Sequence, residues 1–230
     1  MICKSQSKKS IRYVILLTTL YIRDSMYKMR RTKEEAAVTR AAVLKAALTV
    51  FSAKGYAAAT LDDVAAAAKV TRGAIYWHFK GKADLYNTLI DEVSARGNTV
   101  VQNAVAKGGT LLDILRRIFI DQCVLMEEDR DARAVMELVL FKTGLNPELK
   151  TGRRKQIDEG NALVAGISSA MQTGIEQGIL REDIDPTDMA RAFLAFENGA
   201  IQMWLASPKS FSLKASAGSF ADILIAGLKK

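Results

Sequence analysis

The stretch TLDDVAAAAKVTRGAIYWHF, Thr60 to Phe79, constrains this chain more than any other part of it. It reads as two short helices with a tight break between them. Thr60 has the side chain of an N-cap, and Asp62 and Asp63 fall in the first turn, where the helix dipole favours negative charge. Leu61, Val64, Ala65 and Ala68 follow at i, i+3, i+4 and i+7, which makes one apolar face. Lys69-Val70 interrupts the pattern. Thr71 then caps a second short helix whose inward residues are Ile75 and Phe79. Its other face carries Arg72, Gly73, Ala74, Tyr76 and His78. A small helix pinned by two apolar residues, with a cation, a phenol and small residues outward, suits insertion into a major groove. An ordinary αα-hairpin inside a helical domain carries the same spacing, so the pattern alone leaves both readings open.

Charge separates the chain into unlike parts. Of its net +8, residues 1–28 carry six Lys/Arg and one Asp, and residues 29–82 carry ten Lys/Arg and four Asp/Glu. Residues 83–230 carry seventeen Lys/Arg against twenty Asp/Glu. The positive charge therefore accompanies the two-helix stretch, as phosphate binding requires, and the remainder is mildly acidic. Three domains are expected: an extension at 1–28, a helix-turn-helix head at 29–82 and a larger body at 83–230.

The extension contains an apolar run, Tyr13 to Ile22, half the roughly twenty residues that a membrane-spanning helix needs. Met29 is a plausible start, which would make residues 1–28 extra. From Thr32 a long helix is expected, with Val43, Leu44, Ala46, Ala47, Leu48, Val50 and Phe51 on its apolar side and Gly55 as its C-cap. Arg30, Arg31, Lys33 and Arg40 near its start are either a solvated face or phosphate contacts. After the turn at Lys80-Gly81, Lys82 opens a helix running to about Lys107, and its position beside the second short helix suits a phosphate contact. Further helices are expected after Thr110, over ARAVMELVLFKTG, from Pro147, from Pro186 and over Leu213 to Leu228. The fold class is all-α, about nine helices, three in the head and six in the body.

The residue inventory argues against catalysis. His78 is the one histidine, and no Cys or His cluster has zinc spacing. No glycine-rich phosphate loop is present. The pairs Glu127-Glu128 and Asp158-Glu159 are adjacent on helices and do not face one another. Two cysteines, Cys3 and Cys123, exclude a disulfide framework and suit a reducing cytoplasm. No enzyme, metal or cofactor is expected. A helical membrane-associated interaction module is the alternative of another class.

The residues T60-LDDVAAAAKVTRGAIYWHFKGK-A83 closely resemble the amino-terminal pattern of the TetR family of transcription regulators, at Thr60, Val64, Ala65, Val70, Ile75, Tyr76, His78, Phe79 and Lys82. With RTKEEAAVTRAAVLKAALTVFSAKGY before it, the block resembles the multidrug-efflux repressor branch (the AcrR-like proteins). The resemblance implies a cytoplasmic homodimer on a palindromic double-stranded DNA operator, released by a small hydrophobic effector and controlling multidrug efflux genes. The alternative within the family is control of lipid or other metabolic genes. Thr71, Arg72, Gly73, Ala74 and Tyr76 would face bases and nearby backbone, with Arg72 the best base reader. Thr60, Tyr76, His78 and Lys82 would hold phosphates, and Trp77 is expected to pack the head against neighbouring helices.

For the body, the resemblance implies an effector pocket and pairing through the last two helices. Pocket candidates are Phe119, Cys123, Met126, Met136, Glu137, Leu140, Phe141, Asn198 and Trp204. Interface candidates are Phe193, Phe196, Ala200, Phe220 and Leu224. One departure stands out: many members have Gly where this chain has Lys69. If that turn needs positive φ, Lys costs about 1 kcal/mol there.

Overall fold

The structure, a computed structural model, describes residues 33–230. The readings made for residues 1–32, including the apolar run, Cys3, Arg30 and Arg31, lie outside the described residues. Nine α-helices and no sheet form among the described residues: α1 (Lys33–Ala58), α2 (Leu61–Ala68), α3 (Arg72–His78), α4 (Lys82–Ala106), α5 (Leu111–Glu128), α6 (Arg130–Glu137), α7 (Lys150–Glu176), α8 (Pro186–Ala206) and α9 (Leu213–Leu228).

Local chemistry sets most of these boundaries. Thr60 and Thr110 each close a capping box with the aspartate three residues on, which satisfies first-turn N–H groups of α2 and α5. Asp185 caps α8, with Pro186 at the first helical position, where its missing N–H costs nothing. Gly55 takes a left-handed φ of 74°, and the chain makes one more turn to Ala58 instead of stopping there.

Two apolar cores result. The first joins Val43, Phe51 and Tyr56 of α1, Val64 of α2 and Ile75 of α3 to Phe79, to Leu85, Tyr86 and Leu89 of α4, and to Val135, Leu138 and Leu149. The head's packing thus crosses the boundary expected at residue 82. α1 is long and apolar enough to cross a membrane, but its Val43, Ala47 and Phe51 are fully buried in this core. The second core gathers Leu115, Phe119, Cys123 and Met126 of α5 with Met171, Phe193, Trp204 and Leu213. α5 is central and packs against α4, α6, α8 and α9.

α6 stands between the cores. Val135 enters the first, while Met136 packs against the second and the Arg133 guanidinium lies 4.7 Å above the Trp204 ring. The helix expected to run on through Thr143 instead widens into a π-helical turn over Leu138–Lys142. Three contacts hold that turn: the Thr143 hydroxyl donates to the Leu138 carbonyl (2.7 Å) and lies 3.0 Å from the Tyr86 phenol, and Lys142 Nζ donates to the Ser52 carbonyl (2.7 Å). The wider turn rotates the side chains that follow Leu138. Leu138 is buried, but Leu140 and Phe141, expected in a body pocket, are 41% and 50% exposed on the surface. Pro147–Leu149 forms a 3-10 turn that delivers Leu149 to the first core before α7 begins.

Candidate nucleic-acid interface

α3 is a seven-residue helix held from behind. Ile75 is fully buried and Phe79 is 3% exposed, so both anchor it to the head core. Thr71 caps it, accepting from the Ala74 N–H at 3.2 Å. Arg72, Gly73, Tyr76 and Trp77 are left outward, Ala74 and His78 half-buried. The structure thus puts the predicted readers Thr71, Arg72, Gly73 and Tyr76 on one exposed surface. Trp77, expected to pack against neighbouring helices, is 82% exposed instead. Its spacing carried the signal: it lies four residues after Gly73 and next to Tyr76, on the stripe opposite Ile75.

The turn between α2 and α3 depends on Lys69. Its φ and ψ are 57° and 41°, left-handed, and it is the one non-glycine with positive φ among the described residues. Its N–H reaches the Ala65 and Ala66 carbonyls and closes α2. A lysine therefore holds the conformation that glycine adopts without strain, as its departure from the family pattern led one to expect.

The polar groups of this surface are engaged with one another. Arg72 donates to Asp62 Oδ2 and to the Tyr76 phenol, both at 3.3 Å. All three groups are exposed, so a ligand can replace these contacts at small cost. Thr60 Oγ1 donates to Asp63 Oδ2 (2.9 Å) and accepts from the Asp63 N–H (3.1 Å). Lys54 Nζ donates to the other Asp63 oxygen at 2.7 Å, and these hydrogen bonds, Lys54 first, hold the Asp63 carboxyl down at about 2. Arg40 stacks 5.2 Å from the Phe79 ring centre and lies 3.5 Å from Glu92.

Lys82 is placed differently from the other expected phosphate contacts. Its ammonium turns inward to the carbonyls of Tyr56 and Ala59, each at 3.2 Å, and sits 4.5 Å from the Tyr56 ring centre. A cation at the carbonyl end of α1 meets the negative pole of that helix, which binds α4 to α1. To reach a phosphate it must leave those acceptors.

In the body, Phe119, Cys123, Met126 and Trp204 come together in the second core with Met136 beside them. Burial first, then Glu197 and Glu127, push the Cys123 thiol up to about 12, so it is an inert apolar neighbour. Glu137 is half-buried at the end of α6, just before the π turn. Asn198 is exposed and donates to its own helix at the Leu194 carbonyl, outside this core. Two expected interface residues are also displaced: Phe193 and Ala200 are 2% and 6% exposed, because that stripe of α8 packs inside the chain. The outward sides of α8 and α9 carry Phe196 (36%), Met203 (56%) and Ile223 (65%) instead, with Phe220 and Leu224 half-buried. Among the described residues no group of three His, Cys, Asp or Glu side chains could hold a metal ion.

Comparison with known proteins agrees with this geometry. Residues 43–89 match bacterial regulatory proteins of the tetR family, and residues 111–230 match the C-terminal region of MAATS-type transcriptional repressors. The HTH-type transcriptional regulator AcrR of Shigella flexneri is 33% identical over 199 residues, covering 85% of this chain and 92% of that protein. TtgR of Pseudomonas putida is 31% identical, over 84% of this chain and 93% of its own. The fold is similar to that of NalD, the secondary repressor of the MexAB-OprM multidrug efflux pump in Pseudomonas aeruginosa (TM-score 0.77, 23% identity, 86% of this chain and 98% of that one). It is similar also to SmeT in its triclosan complex (TM-score 0.73, 26% identity, 84% and 92%). The chain belongs to the tetR family of bacterial regulatory proteins: it is a transcriptional repressor related to the regulators of multidrug efflux, and not an enzyme.

Proposed function

We propose that this repressor acts in the cytoplasm as a homodimer on a palindromic operator, placing one α3 in the major groove of each half-site. The observation that carries the reading is the outward face of α3, held rigid by Ile75 and Phe79 and surrounded by the positive charge of the head. Arg72 leaves Asp62 and Tyr76 to pair bidentately with a guanine, worth about 1–3 kcal/mol in discrimination. Thr71 borders the groove, and Gly73 and Ala74 let the backbone come close. Thr60, Tyr76 and His78 hold flanking phosphates, and Trp77 lies along the sugar-phosphate wall. Lys82 contributes first by fixing α4 to α1. The dimer forms through the outward sides of α8 and α9, where Phe196, Met203 and Ile223 leave apolar surface uncovered.

The body binds a small hydrophobic effector in the α5–α8 layer, and the genes controlled are those of multidrug efflux. Kinship with AcrR and the likeness to SmeT captured with triclosan support this part. α6 is the coupling element: it touches Trp204 through Arg133 and the head core through Val135, so displacement of one contact moves the other. Footprinting of the DNA upstream of the chain's own gene tests the reading. Wild type protects two half-sites and Arg72→Ala loses sequence-specific protection while keeping its fold. Unchanged protection by Arg72→Ala removes Arg72 as the base reader, and no protected site for wild type removes the operator itself.

A further inference from the structure

α7 leaves one face open along much of its length, and two clefts follow that face. The first, about 440 Å³, lies between the loop at Leu145 to Pro147 and the first two turns of α7, where Lys150, Arg153, Arg154 and Ile157 line it. The second, about 710 Å³, is lined by Asn161, Val164 and Ser168 of α7 and by Thr187 and Arg191 of α8. Lys150, Arg154, Ile157, Asn161, Val164 and Ser168 recur three or four residues apart, so both clefts belong to one face of the helix. That face runs about 27 Å from Lys150 to Ser168. The rest of α7 is anchored: it packs on α8, and at its first turn Gly152 lies so close to the Asn87 side chain that a Cβ has no room.

The two ends of the face differ in charge. At the head end Leu145 is 89% exposed and Ile157 54%. Of the seven residues lining this cleft three are cations and none is an acid. The Lys150 ammonium makes no hydrogen bond or ion pair among the described residues. Arg153 donates only to the Gly144 carbonyl, at 3.1 Å, and Arg154 meets Asp158 at 3.3 Å in an exposed pair. Glu148, the nearest acid before them, is turned away to the Tyr56 phenol. This cluster stands in a body where twenty Asp/Glu outnumber seventeen Lys/Arg. At the far end the charges are matched within the chain: Arg191 pairs with Asp188, and Asp185 accepts from the Thr187 and Asp188 N–H groups.

Exposed apolar side chains beside unmatched cations mark a surface that a partner covers. Nucleic acid would use the cations and leave Leu145 and Ile157 bare. A compact small molecule would fill one cleft and leave the rest of the face. A helix with apolar residues at the same spacing and acids at one end matches both the length and the charge. We propose that this face of α7 docks an amphipathic helix of a partner protein, its apolar residues along Leu145, Ile157 and Val164 and its acidic end on Lys150, Arg153 and Arg154. None of Phe196, Met203 and Ile223 lines either cleft. The cationic end adjoins Glu148 and Leu149, which reach the Tyr56 phenol and the head core. An occupant there bears on the segment that ties head to body.

The probe is a synthetic fluorescein-labelled peptide, EELEELLAQLLAQLLAQA, compared with its charge-reversed form, KKLKKLLAQLLAQLLAQA, by anisotropy on the full chain at physiological salt. Wild type binds the acidic peptide at least about tenfold more tightly than the charge-reversed one. Ile157→Ser weakens the acidic peptide about fivefold by removing an apolar contact. Lys150→Glu combined with Arg154→Glu, both at exposed positions, makes the charge-reversed peptide the tighter ligand. Failure of wild type to bind the acidic peptide, equal affinities for the two, an unchanged order of preference in the double variant, or wild-type binding by Ile157→Ser each overturns the proposal. A random-sequence DNA duplex tests the other occupant. With Lys150→Gln combined with Arg154→Gln, an unchanged slope of log affinity against log salt supports the proposal, and a slope reduced by about 1.8 assigns the cations to phosphates and overturns it.

Discussion

Replacing Glu197 by Gln should alter stability in a pH-dependent way whose sign and size follow from its surroundings. The carboxyl is raised from 4.5 to about 7 by burial alone. Below pH 4.5 it is neutral in the folded and the unfolded chain, and no difference arises. Between 4.5 and 7 the unfolded chain releases a proton that the folded chain keeps, so stability falls as pH rises. Above 7 both states are ionised and the full cost is present. At about 1.4 kcal/mol per pH unit, the interval from 4.5 to about 7 amounts to roughly 3 kcal/mol. Gln matches the neutral acid in shape and polarity and does not ionise. Wild type and Glu197→Gln should therefore be nearly equal near pH 5, and Gln should be more stable by up to roughly 3 kcal/mol at pH 8. Urea denaturation of both at pH 5, 6, 7 and 8, at one protein concentration, gives the difference directly, and titrations common to both chains cancel. A difference that is flat across this range, or that grows towards acid, would refute the placement of this carboxyl in a desolvated layer.

Three further outcomes follow from the geometry. Lys69→Gly removes a left-handed lysine and should stabilise the chain by about 0.5–1 kcal/mol in urea denaturation, the αL cost exceeding the entropy that Gly adds to the unfolded state. Lys82→Met strips the α1 carbonyls and the Tyr56 ring of their cation and should cost about 1–3 kcal/mol in the same assay. The slope of log affinity against log salt on operator DNA should stay unchanged in that variant; a slope reduced by about 0.9 would show that the ammonium swings out to a phosphate. Gly174→Ala would put a Cβ 2.6 Å from Leu111 Cδ2 and 2.9 Å from Leu180, and should lower stability by about 1–3 kcal/mol by calorimetry, as overpacking does.

The head was legible because its signals are local. Thr60 with Asp63, Thr71 with Ala74, and the pair Ile75 and Phe79 each act within four residues, so their spacing in the sequence is their geometry in the fold. The left-handed Lys69 could be anticipated for the same reason. Trp77 could not be assigned by residue type, because a large aromatic is usually buried, yet its phase on α3 puts it outside. In the body the apolar residues are dense enough that spacing no longer separates an inner from an outer face. Phe193 and Phe196 differ by one turn of α8, and one is inside while the other is at the surface. Glu197 was missed for a related reason: a glutamate beside Asn198 on a helix reads as solvent-facing until the neighbouring helix α5 is in place.

The junction between head and body depends on a feature that no local rule anticipates. Periodicity continues one helix from α6 through Lys142, and the sequence has no Gly or Pro there to stop it. Distant groups hold the π turn and the 3-10 turn after it: Ser52 accepts from Lys142 and Tyr86 meets Thr143 at the first, and Tyr56 donates to Glu148 at 2.9 Å at the second. Each contact joins residues more than fifty positions apart. A regular α-helix over the same residues would rotate Leu138, Leu140 and Phe141 to new positions. Conversion of the π turn to α-helix would withdraw Leu138 from the core on which α1 and α4 rest. A change at Trp204 and Arg133, one turn before that segment, therefore has a short physical route to the DNA-facing head.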